Sequence, residues 1–417
     1  MVRVDSETDG HPTIRGDRLT ADLDALARVG DTGDGGNCRL ALTDEDAGGR
    51  ELVVGWMRAL GLAVRVDRIG NVVATRAGAD PTLDAVMTGS HIDTVRTGGR
   101  YDGTLGVLAG LEVVRALDEA GIRTRRPLAV AFFTDEEGSR FAPDMLGSLV
   151  YAGGLPLEDA LETRAIDGAV LGEELERIGW AGDAAVPGPP PHAYVELHIE
   201  QGPLLEEKGA TIGAVTGVQG ISWQELTLTG QSNHAGTTPL RLRHDAGYAA
   251  AEVTTFVRRL ALRLGGHQVG TVGRLDLHPD LVNVVAARAT MTIDLRNTDD
   301  AVLAESEWRL REHVSEVAAA EGVEAAWRSL ARFAPVDFDP GVVDLVERAA
   351  EKRGHRTMRL PSGAGHDAQM LARMCPTGMV FVPSRAGVSH NPAEFTEPAD
   401  LAAGTQVLAD VLVELAS

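Results

Sequence analysis

Four short apolar segments, each ending in or followed by histidines or carboxylates, constrain the fold of this 417-residue chain more than any other feature. The segments span residues 85–88, 128–134, 193–199 and 378–382, and helical patterns separate them. Short apolar runs that alternate with helices predict an α/β sheet. In open sheets of this kind, sites form outside the carboxyl ends of the strands, so we expect the polar groups there to converge. Those groups are His91, Asp93, Glu136, Glu137, His198 and His390.

The chain length and a change of pattern near residue 217 predict two domains, because one hydrophobic core rarely holds 417 residues. After residue 217, strands are expected at 223–229, 268–277, 284–295 and 323–328, with helices at 244–264 and 301–320. The resulting order, β-α-β-β-α-β, is that of a ferredoxin-like module. Outside it, strands at 63–67 and 72–76 and helices at 106–120, 340–353, 368–373 and 398–415 extend the α/β pattern. We therefore expect one discontinuous domain, residues 1–216 and 334–417, interrupted by a smaller domain at 217–333.

Composition restricts the partners and the compartment. Acidic residues outnumber basic ones by 61 to 39, and the formal net charge of −22 disfavours nucleic acid and anionic membranes as partners. Two cysteines, Cys38 and Cys375, make no disulfide framework and suggest a reducing compartment. Neither a signal peptide nor an apolar run of about 18 residues is recognisable. We expect a cytoplasmic protein that acts on a small molecule.

Histidines mixed with carboxylates indicate metal chemistry. Zinc, manganese, cobalt and nickel accept this donor set more readily than calcium or magnesium. Two neighbouring cations need a bridging anion, and Asp102, in a loop with Gly98, Gly99 and Gly103, is the candidate. In the pair Glu136-Glu137, one carboxylate can bind metal while the other takes a proton from a metal-activated water. Taken singly, such features are commonplace: paired glutamates usually lie on a solvated face, and glycine loops mostly turn the chain.

Other hydrolytic and nucleotide-binding classes lack support, since the sequence has no Gly-x-Ser-x-Gly elbow, phosphate-binding loop or dinucleotide motif. Seven collinear motifs, in contrast, carry a resemblance to one family. They are Gly89-Ser90-His91-Ile92-Asp93-Thr94, Gly98-Gly99-Arg100-Tyr101-Asp102-Gly103, Glu136-Glu137-Gly138-Ser139-Arg140-Phe141, Glu196-Leu197-His198-Ile199-Glu200-Gln201-Gly202, Ser232-Asn233-His234-Ala235-Gly236, Ser362-Gly363-Ala364-Gly365-His366-Asp367 and Ser389-His390-Asn391-Pro392-Ala393-Glu394. Over roughly residues 20–415, the chain resembles the amidase branch of the M20 metallopeptidases. That branch contains N-carbamoyl-L-amino acid hydrolases, allantoate amidohydrolases and β-ureidopropionases.

The resemblance implies a mixed-sheet, zinc-peptidase-like catalytic domain that holds two divalent metal ions per subunit. The implied ligands are His91, Asp102, Glu137, His198 and His390. Asp102 would bridge the ions, His91 and His198 would share one of them, and Glu137 and His390 the other. Zn²⁺, Mn²⁺, Co²⁺ and Ni²⁺ all suit these ligands.

The resemblance also implies catalytic roles. Glu136 would be the general base, and the Asp93 carboxylate would hold the second nitrogen of His91, as outer carboxylates commonly do. The inserted domain would serve dimerisation and act as a lid. In a homodimer, His234 would reach the partner subunit's active site and polarise the scissile carbonyl. The alternative for His234 is a turn residue.

Five residues are implied as substrate contacts: Gln201, Asn283, Arg296, Gly365 and His366. Asn283 and Arg296, expected on strands of the inserted domain, would clamp a substrate carboxylate, which the planar fork of arginine matches. The structural alternatives are an Arg296 ion pair with Asp299 or Asp300, and a purely structural His366.

The substrate class depends on the pocket. Ile221-Ser222-Trp223 suits an apolar side chain better than the second ureido arm of allantoate. We therefore expect a metal-dependent amidohydrolase that cleaves the ureido C–N bond of an N-carbamoyl-L-amino acid to the amino acid, CO₂ and ammonia. Hydrolysis of allantoate or N-carbamoyl-β-alanine is the alternative. A non-catalytic binding protein is disfavoured because all five ligands and Glu136 are present, and dipeptidases and aminoacylases usually place an aspartate where His198 stands.

Overall fold

The computed structural model describes residues 12–417 and divides them into two compact units. The larger unit contains the described residues up to Thr216 together with Phe338–Ser417, and the smaller unit is Gly217–Asp337. Residues 1–11, which the sequence analysis assigned to the first domain, lie outside the described residues. Within residues 12–417, no helix is both long and apolar enough to cross a membrane.

The helices and strands follow one another in three groups along the chain. The first group is α1 (Gly16–Ala27), α2 (Asp44–Ala59), β1 (Ala63–Val66), β2 (Val72–Arg76), β3 (Val86–His91), α3 (Thr104–Glu119), β4 (Leu128–Phe133), α4 (Leu146–Tyr151), α5 (Leu157–Leu161), α6 (Leu171–Arg177), β5 (Ala193–Ile199), α7 (Leu204–Lys208) and β6 (Ile212–Val218). The second is β7 (Gly220–Thr229), α8 (Ala246–Leu264), β8 (Val269–His278), β9 (Arg288–Asn297), α9 (Asp300–Glu321), β10 (Glu324–Phe333) and β11 (Val336–Asp337). The third is α10 (Pro340–Lys352), β12 (Thr357–Ser362), α11 (Asp367–Leu371), β13 (Thr377–Val382) and α12 (Pro398–Leu415).

The large sheet is mixed, as predicted, and its centre is parallel. Its strand order is β1-β2-β4-β3-β5-β13-β6-β11, with β12 also paired to β6. Strand β3 runs parallel to both β4 and β5, and β5 runs parallel to β13. Every residue of these four strands is buried, which explains why their sequences are apolar without alternation. Parallel neighbours end at the same edge of a sheet, so the segments that follow β3, β4, β5 and β13 meet there.

Local sequence features account for where helices α2 and α3 begin. Helix α2 begins after Thr43, whose hydroxyl caps the helix by accepting from the Asp46 N–H at 3.3 Å. The Asp46 carboxylate turns back to the N–H of Leu42 at 2.8 Å. Helix α3 begins at Thr104 and not at the predicted residue 106, because Gly103, with φ +66°, already redirects the chain.

Strands β6 and β12 were not expected from the sequence. Strand β6 contains two glycines, and β12 contains a proline, and both residue types lower strand propensity. Both form because neighbouring strands supply partners: β6 pairs antiparallel with β13 at Phe381↔Gly213, and β12 pairs with β6. Tertiary pairing here overrides local preference.

The smaller unit has its elements in the order β-α-β-β-α-β. Its antiparallel sheet has the order β10-β7-β9-β8, and α8 and α9 pack together against it. The core between them is aliphatic and includes Leu226, Met291, Ile293, Val253 and Leu310. Helix α9 begins at Asp300 and is capped by Asp299, whose carboxylate accepts from the N–H groups of Ala301 and Val302.

Candidate metal centre

Side chains from four parallel strands or the loops after them converge at one edge of the large sheet. His91 is the last residue of β3, and His198 is the penultimate residue of β5. Glu136 and Glu137 follow β4, and His390 lies in the segment after β13. This convergence is the expected consequence of parallel strands that share a carboxyl edge.

Two donor groups meet at the carboxylate of Asp102. Its Oδ1 lies 3.1 Å from Nε2 of His198 and 3.6 Å from Nε2 of His91. Its Oδ2 lies 3.4 Å from Nε2 of His390, which is itself 3.4 Å from Oε2 of Glu137. In each group the donor atoms lie within 4.8 Å of one another. One oxygen of Asp102 therefore faces each group.

The two buried histidines are held by backbone carbonyls. Nδ1 of His198 contacts the carbonyl oxygen of Ile199 at 2.8 Å, and Nδ1 of His91 contacts that of Asp93 at 2.9 Å. A proton on each Nδ1 satisfies these contacts and leaves Nε2 directed at Asp102. The expected role of the Asp93 carboxylate needs correction, because its Oδ1 is 3.9 Å from Nδ1 of His91, too far for a hydrogen bond.

The Asp93 carboxylate fixes the glutamate pair instead. It accepts hydrogen bonds from the backbone N–H of Glu136 at 3.3 Å and of Glu137 at 3.2 Å. Glu137 belongs to the donor group of His390, whereas Glu136 belongs to neither group. The Glu136 Oε2 atom lies 3.4 Å from Nε2 of His91. The carboxylate of Glu136 thus faces His91, whereas that of the adjacent Glu137 faces His390.

Three buried carboxylates, those of Asp102, Glu136 and Glu137, make this cluster favourable for positive charge. Burial raises the pKa of Glu136 well above its usual value, and burial followed by repulsion from Asp102 raises the pKa of Glu137 to about 8. Burial also opposes ionisation of Asp102, but hydrogen bonds from His198 and His390 hold its pKa well below normal. Among residues 12–417, the ion-pair partners of these three carboxylates are histidines only.

Divalent cations fit this donor set. Metal ligands must be deprotonated histidines and ionised carboxylates, so a bound cation would take the place of the protons that the histidines now share with Asp102. The hydrogen bond to Asp102 raises the pKa of His390 to about 9, which shows how strongly this position attracts positive charge.

Backbone conformations at the site are unusual for side-chain-bearing residues. Asp135, Gln201 and His390 have φ values of +56°, +56° and +54°. Such left-handed residues cost free energy and persist only where the surroundings hold them. Gly103, at φ +66°, leaves room for the ring of His91, since a Cβ there would lie 2.3 Å from it. The loops are therefore shaped around the donor groups.

One predicted substrate contact, Gln201, lies directly beside a metal-donor residue. Gln201 donates from Nε2 to Oδ2 of Asp102 at 2.8 Å, and its own N–H donates to Ser384 Oγ at 3.0 Å. Gly365 adjoins Met145, whose Cε would be 2.8 Å from an added Cβ.

The His366 ring is 1% exposed and packs edge-on against His198 with ring centres 4.5 Å apart. Its Nε2 contacts Ser362 Oγ at 2.8 Å, and burial lowers its pKa well below normal. Glu196, His198 and His366 also lie close enough to hold an ion. The Glu196 carboxylate, however, accepts from the Ser90 hydroxyl at 2.6 Å and the Ala368 N–H at 2.9 Å, which makes it a buried anchor.

The other three predicted residues belong to the smaller unit. His234 is exposed, and its Nδ1 accepts from the N–H of Gly236 at 3.1 Å and of Thr237 at 3.2 Å. Asn283 lies in a turn before β9 and not on a strand as expected; its carbonyl oxygen accepts from the Ala235 N–H at 2.9 Å. His234 and Asn283 are therefore close neighbours.

Arg296, on β9, pairs with a residue that the sequence analysis did not consider. Its guanidinium contacts the Asp294 carboxylate, with Nη2 to Oδ2 at 2.8 Å, and lies 5.8 Å from the ring centre of Trp223. Asp299, one of the partners considered, is occupied as the cap of α9. The short separation within one strand face, from 294 to 296, is the signal that could have identified this pair.

Two buried residues near the donor groups were missed. Arg39 is 1% exposed and donates from Nε to the carbonyl oxygen of Ile92 at 2.6 Å, which supports the segment between His91 and Asp93. Nothing in the sequence distinguishes it from other arginines. Glu394 lies beside Asp102 and was visible only as the last member of the 389–394 motif.

Comparisons with known proteins agree on one family. The sequence profile of peptidase family M20/M25/M40 matches residues 87–414. The chain is 43% identical over 403 residues to the N-carbamoyl-L-amino-acid amidohydrolase of Rhizobium meliloti, covering 97% of each protein. It is 34% identical over 414 residues to the ureidoglycolate hydrolase of Arabidopsis thaliana, covering 95% of this chain and 86% of that protein. A solved hydantoinase/carbamoylase family amidase from Burkholderia multivorans has a TM-score of 0.94 and 47% identity, covering 97% of this chain and 98% of that one.

Proposed function

The chain belongs to peptidase family M20/M25/M40, and from that premise we propose that it is a metal-dependent N-carbamoyl-L-amino acid amidohydrolase. The reaction hydrolyses the ureido C–N bond and yields the amino acid, CO₂ and ammonia. One observation supports this most directly. Asp102 faces two donor groups, and Glu136 stands beside them without belonging to either.

The donor groups would hold two divalent ions. His91 and His198 would bind one ion, Glu137 and His390 the other, and Asp102 would bridge them. Zn²⁺, Mn²⁺, Co²⁺ or Ni²⁺ all match nitrogen and carboxylate donors. When bound, such ions supply Lewis acidity that polarises the substrate carbonyl and activates water at neutral pH.

Glu136 would act as general base. Its backbone is fixed by Asp93, and its buried carboxylate lies 3.4 Å from Nε2 of His91 but belongs to neither donor group, which leaves it free to accept and then release a proton. It would take the proton from the attacking water and deliver it to the departing nitrogen. This division of labour between Glu136 and Glu137 follows from their different neighbours.

His234 would polarise the scissile carbonyl. Because its Nδ1 accepts two backbone hydrogen bonds, its proton lies on the exposed Nε2, which is the arrangement that a donor to a carbonyl oxygen needs. We propose that it acts in the partner subunit's site within a homodimer, with the smaller unit as the dimerisation and lid domain.

Arg296 and Asn283 would bind the substrate carboxylate, with Gln201, Gly365 and His366 as further contacts. The guanidinium of Arg296 is oriented by Asp294, and Trp223 provides an apolar wall beside it. An apolar wall favours a substrate with an apolar side chain over allantoate, whose second ureido arm requires polar partners.

A screen for ammonia release tests this function. N-carbamoyl-L-amino acids, allantoate, ureidoglycolate and N-carbamoyl-β-alanine all carry a ureido group whose hydrolysis frees ammonia. We expect the highest kcat/KM with an N-carbamoyl-L-amino acid, and loss of activity on chelation that added Mn²⁺, Co²⁺ or Zn²⁺ reverses. A higher kcat/KM with allantoate or ureidoglycolate would reassign the substrate. Full activity after verified metal removal would refute the metal mechanism.

A further inference from the structure

The loop that carries Asp102 is fastened to the segment that carries His390 by the buried carboxylate of Glu394. Oε1 of Glu394 accepts from the backbone N–H of Tyr101 at 3.0 Å and of Asp102 at 3.2 Å. Oε2 accepts from the hydroxyl of Ser389 at 2.8 Å. The same hydroxyl lies 3.2 Å from Oδ2 of Asp102, but it has one proton, and the shorter contact is to Glu394.

The Asp102 loop is shaped to admit this carboxylate. A Cβ on Gly99 would lie 2.1 Å from Oε1 of Glu394, so only glycine lets the loop approach so closely. Charge-assisted hydrogen bonds from two successive N–H groups are stronger than neutral ones. The main-chain position of Asp102, and with it the direction of its carboxylate, therefore depends on Glu394.

The two donor groups differ in how firmly they are held. His91 and His198 are each 1% exposed, and backbone carbonyls hold both rings. The side chain of His390 is 50% exposed, and its Nε2 lies 3.4 Å from both Asp102 and Glu137. Since packing does not confine the His390 ring, its distance from Asp102 depends on the ties between the two segments.

We propose that Glu394 is a positioning residue that sets the bridging orientation of Asp102 and thereby the affinity of the cation position formed by Asp102, Glu137 and His390. The inference rests on the proposed function, because it requires two cations. Removal of such an outer contact lowers metal affinity about ten- to hundred-fold. The position formed by His91, His198 and Asp102 should lose less affinity, because backbone carbonyls hold the rings of His91 and His198 independently of Glu394.

Zinc titration of the full-length protein tests the proposal. Glu394→Gln keeps the side-chain shape but replaces one acceptor oxygen with an NH₂ group, and Ser389→Ala removes the hydroxyl that the carboxylate binds. Glu397→Gln is the matched control, because Glu397 is exposed and pairs with Arg385 at the surface. Each protein is stripped of metal and titrated with Zn²⁺ against a competing chelator, with circular dichroism to verify folding and kcat and KM measured as functions of free zinc.

We expect wild type and the Glu397 variant to bind two zinc ions per chain. Glu394→Gln should bind one ion with an affinity closer to that of the wild type and the second about ten- to hundred-fold more weakly, and excess zinc should restore kcat. Ser389→Ala should weaken the same ion by a smaller factor.

Unchanged affinities in Glu394→Gln would overturn the proposal, and so would equal weakening of both ions, which marks a general structural role. If Glu394→Gln does not fold, Ser389→Ala decides by the same two criteria. Fewer than two zinc ions in the wild type would refute the two-ion site and, with it, this inference. That failure can be told apart from failure of the Glu394 proposal alone, because it would be seen in the wild type without any substitution.

Discussion

Gly103→Ala should disable the metal centre by displacing His91. Gly103 has φ +66° and ψ −50°, a conformation that favours glycine. A Cβ at this position would lie 2.3 Å from Cε1 of His91 and 2.4 Å from both ring nitrogens. Carbon atoms pack at about 3.5 Å or more. The ring or the loop must therefore move by about 1 Å.

Gly121→Ala is the matched control, because Gly121 has φ +65° and a Cβ there would meet nothing within 4 Å. A left-handed residue with a side chain costs about 1–2 kcal/mol, and both variants should lose at least this free energy of unfolding. Only Gly103→Ala should also misplace a ligand by about 1 Å, well beyond the roughly 0.2 Å that metal–ligand distances tolerate. A displacement of this size costs about 100-fold in rate.

The assay combines urea unfolding, zinc content and kcat/KM on the preferred N-carbamoyl-L-amino acid. We expect Gly121→Ala to be destabilised with near wild-type kcat/KM, and Gly103→Ala to lose zinc and at least about 100-fold in kcat/KM. If Gly103→Ala keeps its zinc and its kcat/KM, the loop relaxes without displacing His91, and the steric reasoning is refuted.

Two catalytic predictions and one stability prediction remain. Glu136→Gln should keep both metal ions and KM but lower kcat by about 10²- to 10⁴-fold; normal turnover would assign the base elsewhere. Mixing inactive His234→Ala and Glu136→Ala chains should restore part of the activity, since a mixed dimer contains one intact site; no recovery after verified subunit exchange would indicate a site completed within one chain. Burial raises the pKa of Asp67 from 3.8 to about 6, so its protonated form stabilises the fold below pH 3.8 and this contribution, about 3 kcal/mol, is lost as the pH rises through 6. The difference in unfolding free energy between wild type and Asp67→Asn should shift by that amount between pH 3.8 and 7, whereas parallel pH profiles would contradict the assignment.

Most of the large sheet was predictable from the sequence because its central strands are buried on both faces. Continuous apolar runs predicted β3, β4, β5 and β13 to within a few residues, and the predicted α/β class with a mixed sheet is confirmed. Strands β6 and β12 were not predictable, because their glycine and proline residues lower strand propensity and neighbouring strands stabilise them.

Individual contacts around the candidate site were also not predictable from the sequence. The family resemblance implied that the Asp93 carboxylate holds His91, yet the Asp93 carbonyl oxygen does so and the carboxylate accepts from two backbone N–H groups. An ion pair with Asp299 or Asp300 was the structural alternative for Arg296. Strand alternation instead places the guanidinium of Arg296 beside the carboxylate of Asp294. Which atom of a residue makes a contact depends on backbone direction, which periodicity does not report.

What the sequence determined by itself is the family and the kinds of donor at each strand end, because these are local properties of short motifs, and the family is confirmed. Only the tertiary structure decided that one oxygen of Asp102 faces His91 and His198 while the other faces His390. It alone revealed Glu394 as the contact between those segments. The reason is physical: the donors come from strand ends and loops far apart in the chain, and the order of the parallel strands sets the distances between them.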